Sequence, residues 1–393
     1  MSLLSVIDAQ ARLFALAPRV PAITLPLGQA AGHWLAAPLI ARRNQPAADL
    51  SAMDGYALRF ADLPGPLRVI GESAAGRAFD GAVAAGEAVR IFTGAALPAG
   101  ADTVMVQEEA AREGDLVRQS GDGPGRIGRH VRPRGMDFAA GAMLLPAGAR
   151  LSPAAIALAA AAGHGALPVN RRLRIAIAAT GDELVPPGAE TGTDRLPEAN
   201  GVMLAALLRD LPVVVEDLGI LPDRLAEQTA AFAGVSADIL VTSGGASVGE
   251  HDLVRPALTA AGATIDFWRI ALRPGKPLMA GRRGETMVLG LPGNPVSAFV
   301  TATLFLRPLI AAMAGAADPL PVCLSARLGA ALPANDGRED YLRATLTGGI
   351  ATPAPVQDSA MLATLAAAQC LIVRARHAPA AAAGEAVQIL SIA

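Results

Sequence analysis

Acidic side chains stand at two places where an apolar run of the sequence gives way to a loop. Asp182 and Glu183 follow the run 173–180, and Asp252 follows the glycine loop 243–249. Carboxylate oxygens in such loops suit Mg²⁺ that is shared with substrate phosphates. Asp252 could instead cap the helix after it, but capping does not explain Asp182 and Glu183, which precede a long proline- and glycine-rich loop. These acids predict a cation site.

The loop 243–249 reads Ser-Gly-Gly-Ala-Ser-Val-Gly and leads into a predicted helix. Its glycines let backbone N–H groups approach an anion closely, and the helix N-terminus adds partial positive charge. A tight strand–helix turn is the simpler interpretation. The same letters match the G-x-S-x-G nucleophile elbow of hydrolases around Ser247. That reaction needs a distal histidine, but His251 is too close in sequence and His377 borders an alanine–proline stretch.

Two cations fall in the turn Arg273-Pro274-Gly275-Lys276-Pro277, and Lys276 is the one lysine among 33 Lys and Arg residues. A compact ammonium kept in a chain that otherwise uses arginine indicates a point-charge contact to an anion. Chance retention at the surface is the alternative. The loop 290–297 directs a second predicted helix N-terminus, and Ser297, to the same region. Acids for a cation beside cations and amides for an oxyanion predict phosphoryl-type chemistry on a small anionic ligand.

The hydrophobic pattern after residue 173 predicts the strands and helices that must position these loops. Short apolar strands alternate there with helices, which indicates a doubly wound, mainly parallel sheet. Ligands of such a sheet bind beyond the carboxyl ends of the strands, which is where the acidic, glycine and cationic loops fall. Residues 40–145 and 320–393 show short β-like runs between glycine and proline turns. We therefore expect one β-rich unit before the sheet and another after it along the chain.

The composition excludes several classes of protein. A hydrophobic fraction of 52% and a charged fraction of 17% exclude a disordered chain. A net charge of −2 and 3% aromatic residues supply neither a basic field nor stacking platforms, so we expect no nucleic acid and no membrane partner. The N-terminus lacks the basic region of a signal peptide, and the 2 cysteines form no C-x-x-C pair. We expect a cytoplasmic protein.

Six motifs in a fixed order make the chain recognisable as a whole. The chain resembles the MoeA family of molybdopterin molybdenumtransferases, which is related to the E domains of gephyrin and of its plant counterpart. The resemblance covers essentially the full length. The motifs are Ser51 to Ala57, Phe92 to Thr103, Thr180 to Leu184, Ser243 to Asp252, Pro274 to Pro277 and Gly290 to Ser297.

The resemblance implies an α/β multidomain fold. A three-layer α/β molybdopterin-binding domain with a mainly parallel sheet is joined to β-rich N-terminal domains and a small C-terminal β-barrel-like domain. It also implies a homodimer of L-shaped, four-domain subunits. The expected boundaries are 1–40 with 142–170 for a helical and linker domain, 41–141 for a β-rich domain, 171–318 for the catalytic α/β domain and 319–393 for the C-terminal domain.

The resemblance implies roles for individual residues. Asp54, Thr93 and Asp137 would bind substrate from the β-rich domain, which in this family faces the active site of the partner subunit. The implied catalytic residues are Asp182, Glu183, Asp223, Asp252 and Lys276, with Asp182, Glu183 and Asp252 as ligands of Mg²⁺. The other implied substrate-binding residues, in the glycine loop and a notch for molybdate, are Ser243, Gly244, Gly245, Ser247, Arg273, Pro274, Gly275, Asn294, Pro295, Ser297, Arg338 and Arg343.

Some residues depart from the family pattern. Arg269 and Arg273 stand where lysine is common, which keeps the charge but changes the geometry offered to an anion. Met136 replaces a usual glutamate beside Asp137, and Ala246 replaces a valine.

The activity implied by the resemblance is insertion of molybdate into adenylylated molybdopterin with Mg²⁺, which releases AMP and the molybdenum cofactor. A molybdopterin adenylyltransferase is an alternative, but the β-rich domains and the Asp54 motif argue against it. A non-enzymatic interaction scaffold is a second alternative, and the intact acidic and cationic loops argue against it. A molybdopterin adenylyltransferase and apo-molybdoenzymes are expected as possible partners.

Overall fold

A six-stranded sheet forms the centre of the protein, whose computed structural model describes residues 3–245, 253–267 and 269–392. The strands are β1 (Leu173–Thr180), β2 (Val213–Leu221), β3 (Ile239–Ser243), β4 (Thr264–Phe267), β5 (Met279–Arg283) and β6 (Thr286–Leu291). Their order across the sheet is β2-β1-β3-β6-β5-β4. Strands β2, β1, β3 and β6 are mutually parallel, while β5 and β4 run antiparallel to their neighbours. The mainly parallel sheet expected from the sequence is thereby confirmed.

Helices cover both faces of this sheet, because alternate side chains of the buried strands point to opposite sides. In β1, Ile175 and Ile177 belong to one apolar cluster, which includes Leu204. Ala176 and Ala178 belong to the opposite cluster, in which the fully buried Phe232 fills the space that the alanines leave. The two clusters make a three-layer domain. The covering helices include Asn200–Leu207, Leu225–Gly234 and Val254–Ala260.

One long helical segment packs beside the sheet and runs from Pro295 to Met313. It begins as Pro295–Thr301, continues as a π-helical turn at Ala302–Leu306 and ends as Arg307–Met313. Its length and apolar composition would allow it to cross a membrane, but 83% of it is buried inside the protein. In the π turn, where the usual helical hydrogen bonds are interrupted, the buried amide of Gln10 donates to the carbonyl of Leu304 at 2.8 Å.

The N-terminal region is discontinuous in sequence. Strand Ala22–Pro26 pairs antiparallel with Ala166–Asn170, and Leu39–Ile40 pairs with Met143–Leu145, so the chain leaves this region and returns to it. Its helices are Val6–Leu16, Leu27–Ala30 and Pro153–Ala161.

The inserted segment is rich in β-structure. One sheet contains, in spatial order, Thr103–Val106, Gly55–Leu58, Glu87–Ile91, Leu67–Ser73, Leu116–Gln119 and Ala110–Glu113. A two-stranded pair joins Leu50–Ser51 to Val131–Arg132, and short 3₁₀ turns lie at Phe60–Asp62 and Gln107–Glu109.

The C-terminal region is a closed barrel of five strands, because each strand pairs with two neighbours. The strands are Leu324–Leu328, Glu339–Thr347, Ile350–Pro353, Cys370–Arg374 and Ala386–Ser391, with a helix at Leu362–Ala367. Leu272–Arg273 from the central domain pairs in parallel with Glu339–Asp340 at the side of this barrel. The expected fold class is therefore confirmed in all its parts. A short pair, Leu184–Val185 with Leu196–Pro197, lies in the loop after β1.

We propose the domain boundaries that the sequence indicated: 1–40 with 142–170, 41–141, 171–318 and 319–393. The antiparallel return of 166–170 onto 22–26 supports the discontinuous first domain.

Candidate active site at the rim of the central sheet

The carboxyl ends of three central strands meet side by side. Register pairs Ala179 of β1 with Ser243 of β3, and Ser243 with Leu291 of β6. The loops that begin at Gly181, Gly244 and Pro292 are therefore neighbours on one edge of the sheet. The fold brings together the acidic loop, the glycine loop and the loop that contains Asn294.

The glycine loop requires glycine at position 244. Gly244 has φ +96°, and a Cβ there would lie 2.5 Å from the carbonyl oxygen of Thr180. Gly245 also has positive φ, and its Cβ would lie 2.3 Å from Cγ2 of Val254. The glycines thus let β3 turn closely against the end of β1. Ser247 and Asp252, the other residues expected in this loop, lie outside the described residues.

The acids Asp182 and Asp223 hold each other's loops in a reciprocal arrangement. The backbone N–H of Asp223 donates to Oδ1 of Asp182 at 3.1 Å, and the backbone N–H of Asp182 faces Oδ2 of Asp223 at 3.4 Å. The amide of Gln228, which is buried, donates to Oδ1 of Asp223 at 3.3 Å. Asp182 remains exposed, so its carboxylate is open to a ligand from solvent.

Glu183 is exposed and its carboxylate folds back over Gly181, where a Cβ would lie 2.3 Å from Oε2. Within residues 3–245, 253–267 and 269–392, no group of three acidic, histidine or cysteine side chains is close enough to hold a metal ion. The third expected ligand, Asp252, is outside those ranges.

Asn200 also belongs to this rim, although it was not among the residues expected from the sequence. Its Nδ2 donates to Oγ of Ser243 at 2.8 Å and to the carbonyl oxygen of Gly293 at 2.7 Å. Only the position of Asn200 at the start of a predicted helix after the acidic loop could have drawn attention to it.

Arg273 is engaged by two carboxylates. Its Nε donates to Oδ1 of Asp340 at 2.8 Å, its Nη2 donates to Oδ2 of the same residue, and its Nη1 lies 3.1 Å from Oδ2 of Asp336. The hydrogen bond with Asp340 raises the pKa of Arg273. The Asp340 side chain is only 9% exposed, so this pair fixes the cationic turn against the barrel.

Lys276 differs from Arg273 in its surroundings. It is exposed and forms no ion pair with any residue that the structure describes. The turn before it is packed tightly, since a Cβ on Gly275 would lie 2.6 Å from Cγ2 of Thr301 and 3.7 Å from the carbonyl oxygen of Ser297. Pro274 and Gly275 therefore place Lys276 next to the first turns of the long helix.

That helix begins at Pro295, with Asn294 as the residue before it and Ser297 buried in its first turn. Nδ2 of Asn294 donates to Oγ of Ser359 at 2.9 Å, and the backbone N–H of Val296 donates to the carbonyl oxygen of Ser359 at 3.1 Å. A loop of the barrel is thereby joined to the helix N-terminus. Ser359 was not anticipated from the sequence, because nothing local marks it.

Arg343 reaches this junction from the outer face of the barrel, the face of its strand that Tyr341 directs to the central domain, and the residue is 1% exposed. Its Nε donates to Oε1 of Gln357 at 3.3 Å and its Nη1 to the carbonyl oxygen of Met361 at 3.2 Å. Among the described residues Nη2 has no hydrogen-bond partner, and no carboxylate lies within 4.0 Å of the guanidinium. Burial lowers the pKa of Arg343, and the charge of Asp358 opposes that effect. Arg338, by contrast, pairs with Asp336 at 3.3 Å.

Asp54 and Thr93 form a compact pair in the β-rich domain. The backbone N–H and the hydroxyl of Thr93 donate to Oδ1 of Asp54 at 2.7 and 2.8 Å, which lowers the pKa of Asp54. The guanidinium of Arg90 stacks on Phe92 at 4.7 Å and on Tyr56 at 5.3 Å, which stiffens the adjoining strands.

Asp137 is exposed in the same domain, and its backbone N–H donates to the carbonyl oxygen of Gln45. The hydrogen bonds of Asp54, Thr93 and Asp137 stay within residues 41–141. These three residues are therefore not joined to the rim of the central sheet by hydrogen bonds within the described part of the chain.

Comparison with known proteins shows which family the chain matches. Residues 4–163 match the MoeA N-terminal region (domain I and II), residues 176–312 match the probable molybdopterin binding domain, and residues 325–392 match the MoeA C-terminal region (domain IV). Two curated relatives support the same assignment. A molybdopterin molybdenumtransferase of Haemophilus influenzae is 39% identical over 295 residues, which are 74% of this chain and 72% of the relative. Molybdopterin molybdenumtransferase 2 of Mycobacterium tuberculosis is 37% identical over 341 residues, 82% of this chain and 83% of the relative.

A solved structure agrees over the full length. The molybdopterin biosynthesis MoeA protein of Pyrococcus horikoshii superposes with a TM-score of 0.84 at 26% identity, covering 99% of this chain and 100% of the other. The matched families span the N-terminal domains, the central sheet and the barrel, and the relatives are named for one enzyme. This chain belongs to the MoeA family of molybdopterin molybdenumtransferases and acts in molybdenum cofactor biosynthesis.

Proposed function

We propose that this molybdenumtransferase inserts molybdate into adenylylated molybdopterin with Mg²⁺, and releases AMP and the molybdenum cofactor. The observation that carries the proposal is the guanidinium of Arg343, which is buried without a carboxylate partner among the described residues. A buried charge is stable only when it is compensated. A small dianion bound at the junction of Arg343, Ser359 and Asn294 would supply the compensation.

The cationic turn completes the molybdate notch. Lys276 offers an exposed ammonium, and Ser297 lies at the first turn of the long helix, whose N-terminus favours negative charge. Arg338 and Arg273 contribute less free charge, because each already pairs with Asp336 and Arg273 also pairs with Asp340. We therefore assign Arg273, with Pro274 and Gly275, mainly to holding the turn in place.

The acidic loop is the proposed place for Mg²⁺. Asp182 and Glu183 are exposed carboxylates at the end of β1, and oxygen donors of this kind are what Mg²⁺ prefers. With Asp252 they would hold the ion, while Asp223 orients Asp182. When bound, Mg²⁺ would neutralise charge on the phosphoanhydride and make AMP a better leaving group.

The chain's own residues would bring the two substrates together rather than act as strong acids or bases. Ser243, Gly244, Gly245 and Ser247 would hold the nucleotide part, while Asn294, Pro295 and Ser297 border the notch. Placing molybdate beside the dithiolene sulfurs of the pterin would accelerate insertion through proximity and orientation.

The β-rich domain has a separate place in the proposal. We propose a cytoplasmic homodimer in which Asp54, Thr93 and Asp137 of one subunit face the active site of the other. Their hydrogen bonds remain within residues 41–141, which leaves the exposed Thr93 and Asp137 available for a second copy. A molybdopterin adenylyltransferase and apo-molybdoenzymes would be the partners before and after the reaction.

The decisive experiment measures AMP released from adenylylated molybdopterin, with and without molybdate and with and without Mg²⁺. The proposal expects release only when both are present. Release that does not depend on molybdate would contradict it. Adenylylation of supplied molybdopterin by ATP would favour the adenylyltransferase alternative, and partner binding without any molybdate dependence would favour the scaffold.

A further inference from the structure

Asn200 links two loops that come from different strands of the sheet. Its Nδ2 lies 2.8 Å from Oγ of Ser243 and 2.7 Å from the carbonyl oxygen of Gly293. The carbonyl oxygen of Gly293 can only accept, which fixes the amide with its nitrogen toward these two groups. Both hydrogen atoms of the amide are thus used on the two loops.

The side chain of Asn200 does not cap the helix in which it lies. It is the first residue of helix Asn200–Leu207, and the residue before it, Ala199, makes no side-chain capping bond. The N–H of Gly201 is satisfied instead by Oε1 of Glu198 at 2.7 Å. Asparagine is a poor helix former that is usually kept for capping, so its presence here is explained by the bridge and not by the helix.

From the bridge, a path made of backbone and hydrogen bonds leads to a loop of the barrel. Gly293 is followed by Asn294, whose amide donates to Ser359. Two residues later in the barrel loop, the carbonyl of Met361 accepts from Arg343. Asn200 thus stands at the sheet end of a path that leads from Ser243 to the guanidinium of Arg343.

We propose that Asn200 is a positioning residue that fixes the separation between the glycine loop and the molybdate notch. This rests on the proposed function, which assigns the two loops to the two substrates. Each loop can still bind its own ligand without the bridge, but the reacting groups are no longer held in register. A misplacement of about 1 Å can cost about 100-fold in rate.

The test compares Asn200→Ala and Asn200→Asp with the wild type, with Val202→Ala as the matched control. Val202 lies on the same helix and is 59% exposed. Asn200→Asp keeps the shape of the side chain but lacks the N–H donors. The rate of molybdenum insertion is measured as the activity that its product restores to an apo-molybdoenzyme. The concentrations of molybdate and of the molybdopterin substrate are varied separately.

We expect both Asn200 variants to lose about 10- to 100-fold in kcat, with KM for each substrate changed less than about 3-fold, and Val202→Ala to match the wild type. If Asn200→Ala does not fold, the isosteric Asn200→Asp carries the test. Unchanged kcat in Asn200→Asp would overturn the inference, and so would a rise in one KM with kcat unchanged. The reconstitution assay does not measure AMP. If the wild type released no AMP, the proposed substrate would be refuted, but the comparison of the Asn200 variants could still be interpreted.

Discussion

Arg273 and Arg343 both border the proposed notch, yet the fold treats their charges in opposite ways. Arg273 is held by Asp340 through two hydrogen bonds and by Asp336. Arg343 is more deeply buried, but within the described residues its guanidinium donates only to Gln357 and to the backbone carbonyl of Met361. We therefore assign the proposed contacts with the anion mainly to Arg343 and to the exposed Lys276.

Replacing Lys276 by alanine should weaken molybdate binding about 10- to 100-fold, because a charge-assisted contact contributes about 1.5–3 kcal/mol. Calorimetric titration with molybdate measures the change. Lys276→Arg, which keeps the charge, should lose less affinity. Thermal unfolding should be unaltered in both variants, since the side chain is exposed. A titration of Lys276→Ala that coincides with the wild type would remove this residue from the notch.

Arg343→Met should also abolish most molybdate affinity, but it should hardly lower the melting temperature. Replacing a buried charge by an apolar side chain of similar length is often neutral or stabilising. Gln357 also keeps its hydrogen bonds to the backbone of residue 343. Calorimetry and thermal unfolding separate the two effects. A large loss of stability with normal molybdate affinity would show that the arginine is purely structural.

Part of the site could be predicted from single residues and part could not. Asp182 and Glu183 were placed on the rim because strand ends of a parallel sheet share one edge. Asn200 and Ser359 escaped notice, since their bonds span 93 and 65 residues of sequence and leave no periodic signal. The burial of Arg343 was equally hidden, because it depends on how the outer face of the barrel packs against the rest of the protein, which no local pattern specifies.

At the scale of elements, the ends of β1, β3 and β6 must approach closely for the rim to exist. The carbonyl of Thr180 occupies the space that any side chain at residue 244 would need. Alternating strands and helices sufficed to predict this parallel core. The antiparallel strand β5 was not predicted, because its glycine and arginine residues interrupt the apolar pattern expected of a buried strand.

Gly244→Ala should lower the free energy of unfolding by about 1–3 kcal/mol and reduce turnover, because it combines positive φ with a clash against Thr180. Gly188→Ala is the matched control. Gly188 has φ +85°, but a Cβ added there would have no neighbouring atom within 4 Å. Denaturant unfolding and activity assays measure both variants. Equal destabilisation of the two would mean that backbone conformation alone matters and that the close approach does not.

At the scale of the whole molecule, Asp210 fastens the N-terminal region to the central domain. Arg307 of the long helix binds it through two hydrogen bonds of 2.7 and 2.8 Å. Arg150, from the N-terminal region, pairs with it at 3.5 Å and stacks on Trp34. One carboxylate thus joins two arginines from different parts of the chain.

This clamp should make stability depend on pH. The hydrogen bond from Arg307 lowers the pKa of Asp210, so the stabilisation is present above the carboxyl's unfolded pKa of about 3.9 and is lost as the pH falls through the lower folded pKa. The melting temperature of Asp210→Asn should therefore be lower than that of the wild type at pH 7. The difference between the two melting temperatures should become smaller below about pH 4. Calorimetric melting curves across pH test this; a gap independent of pH would point to lost packing.

The exposed ammonium of Lys276 has a practical consequence. In the whole sequence it is the one side-chain amine, so an amine-selective acylating reagent modifies only this position and the chain's α-amino group. A fluorophore introduced by amine-selective chemistry would stand at the mouth of the proposed notch without any engineered cysteine. Protection of Lys276 from acylation by added oxyanions would then report occupancy of the notch directly, in a single peptide of a proteolytic map.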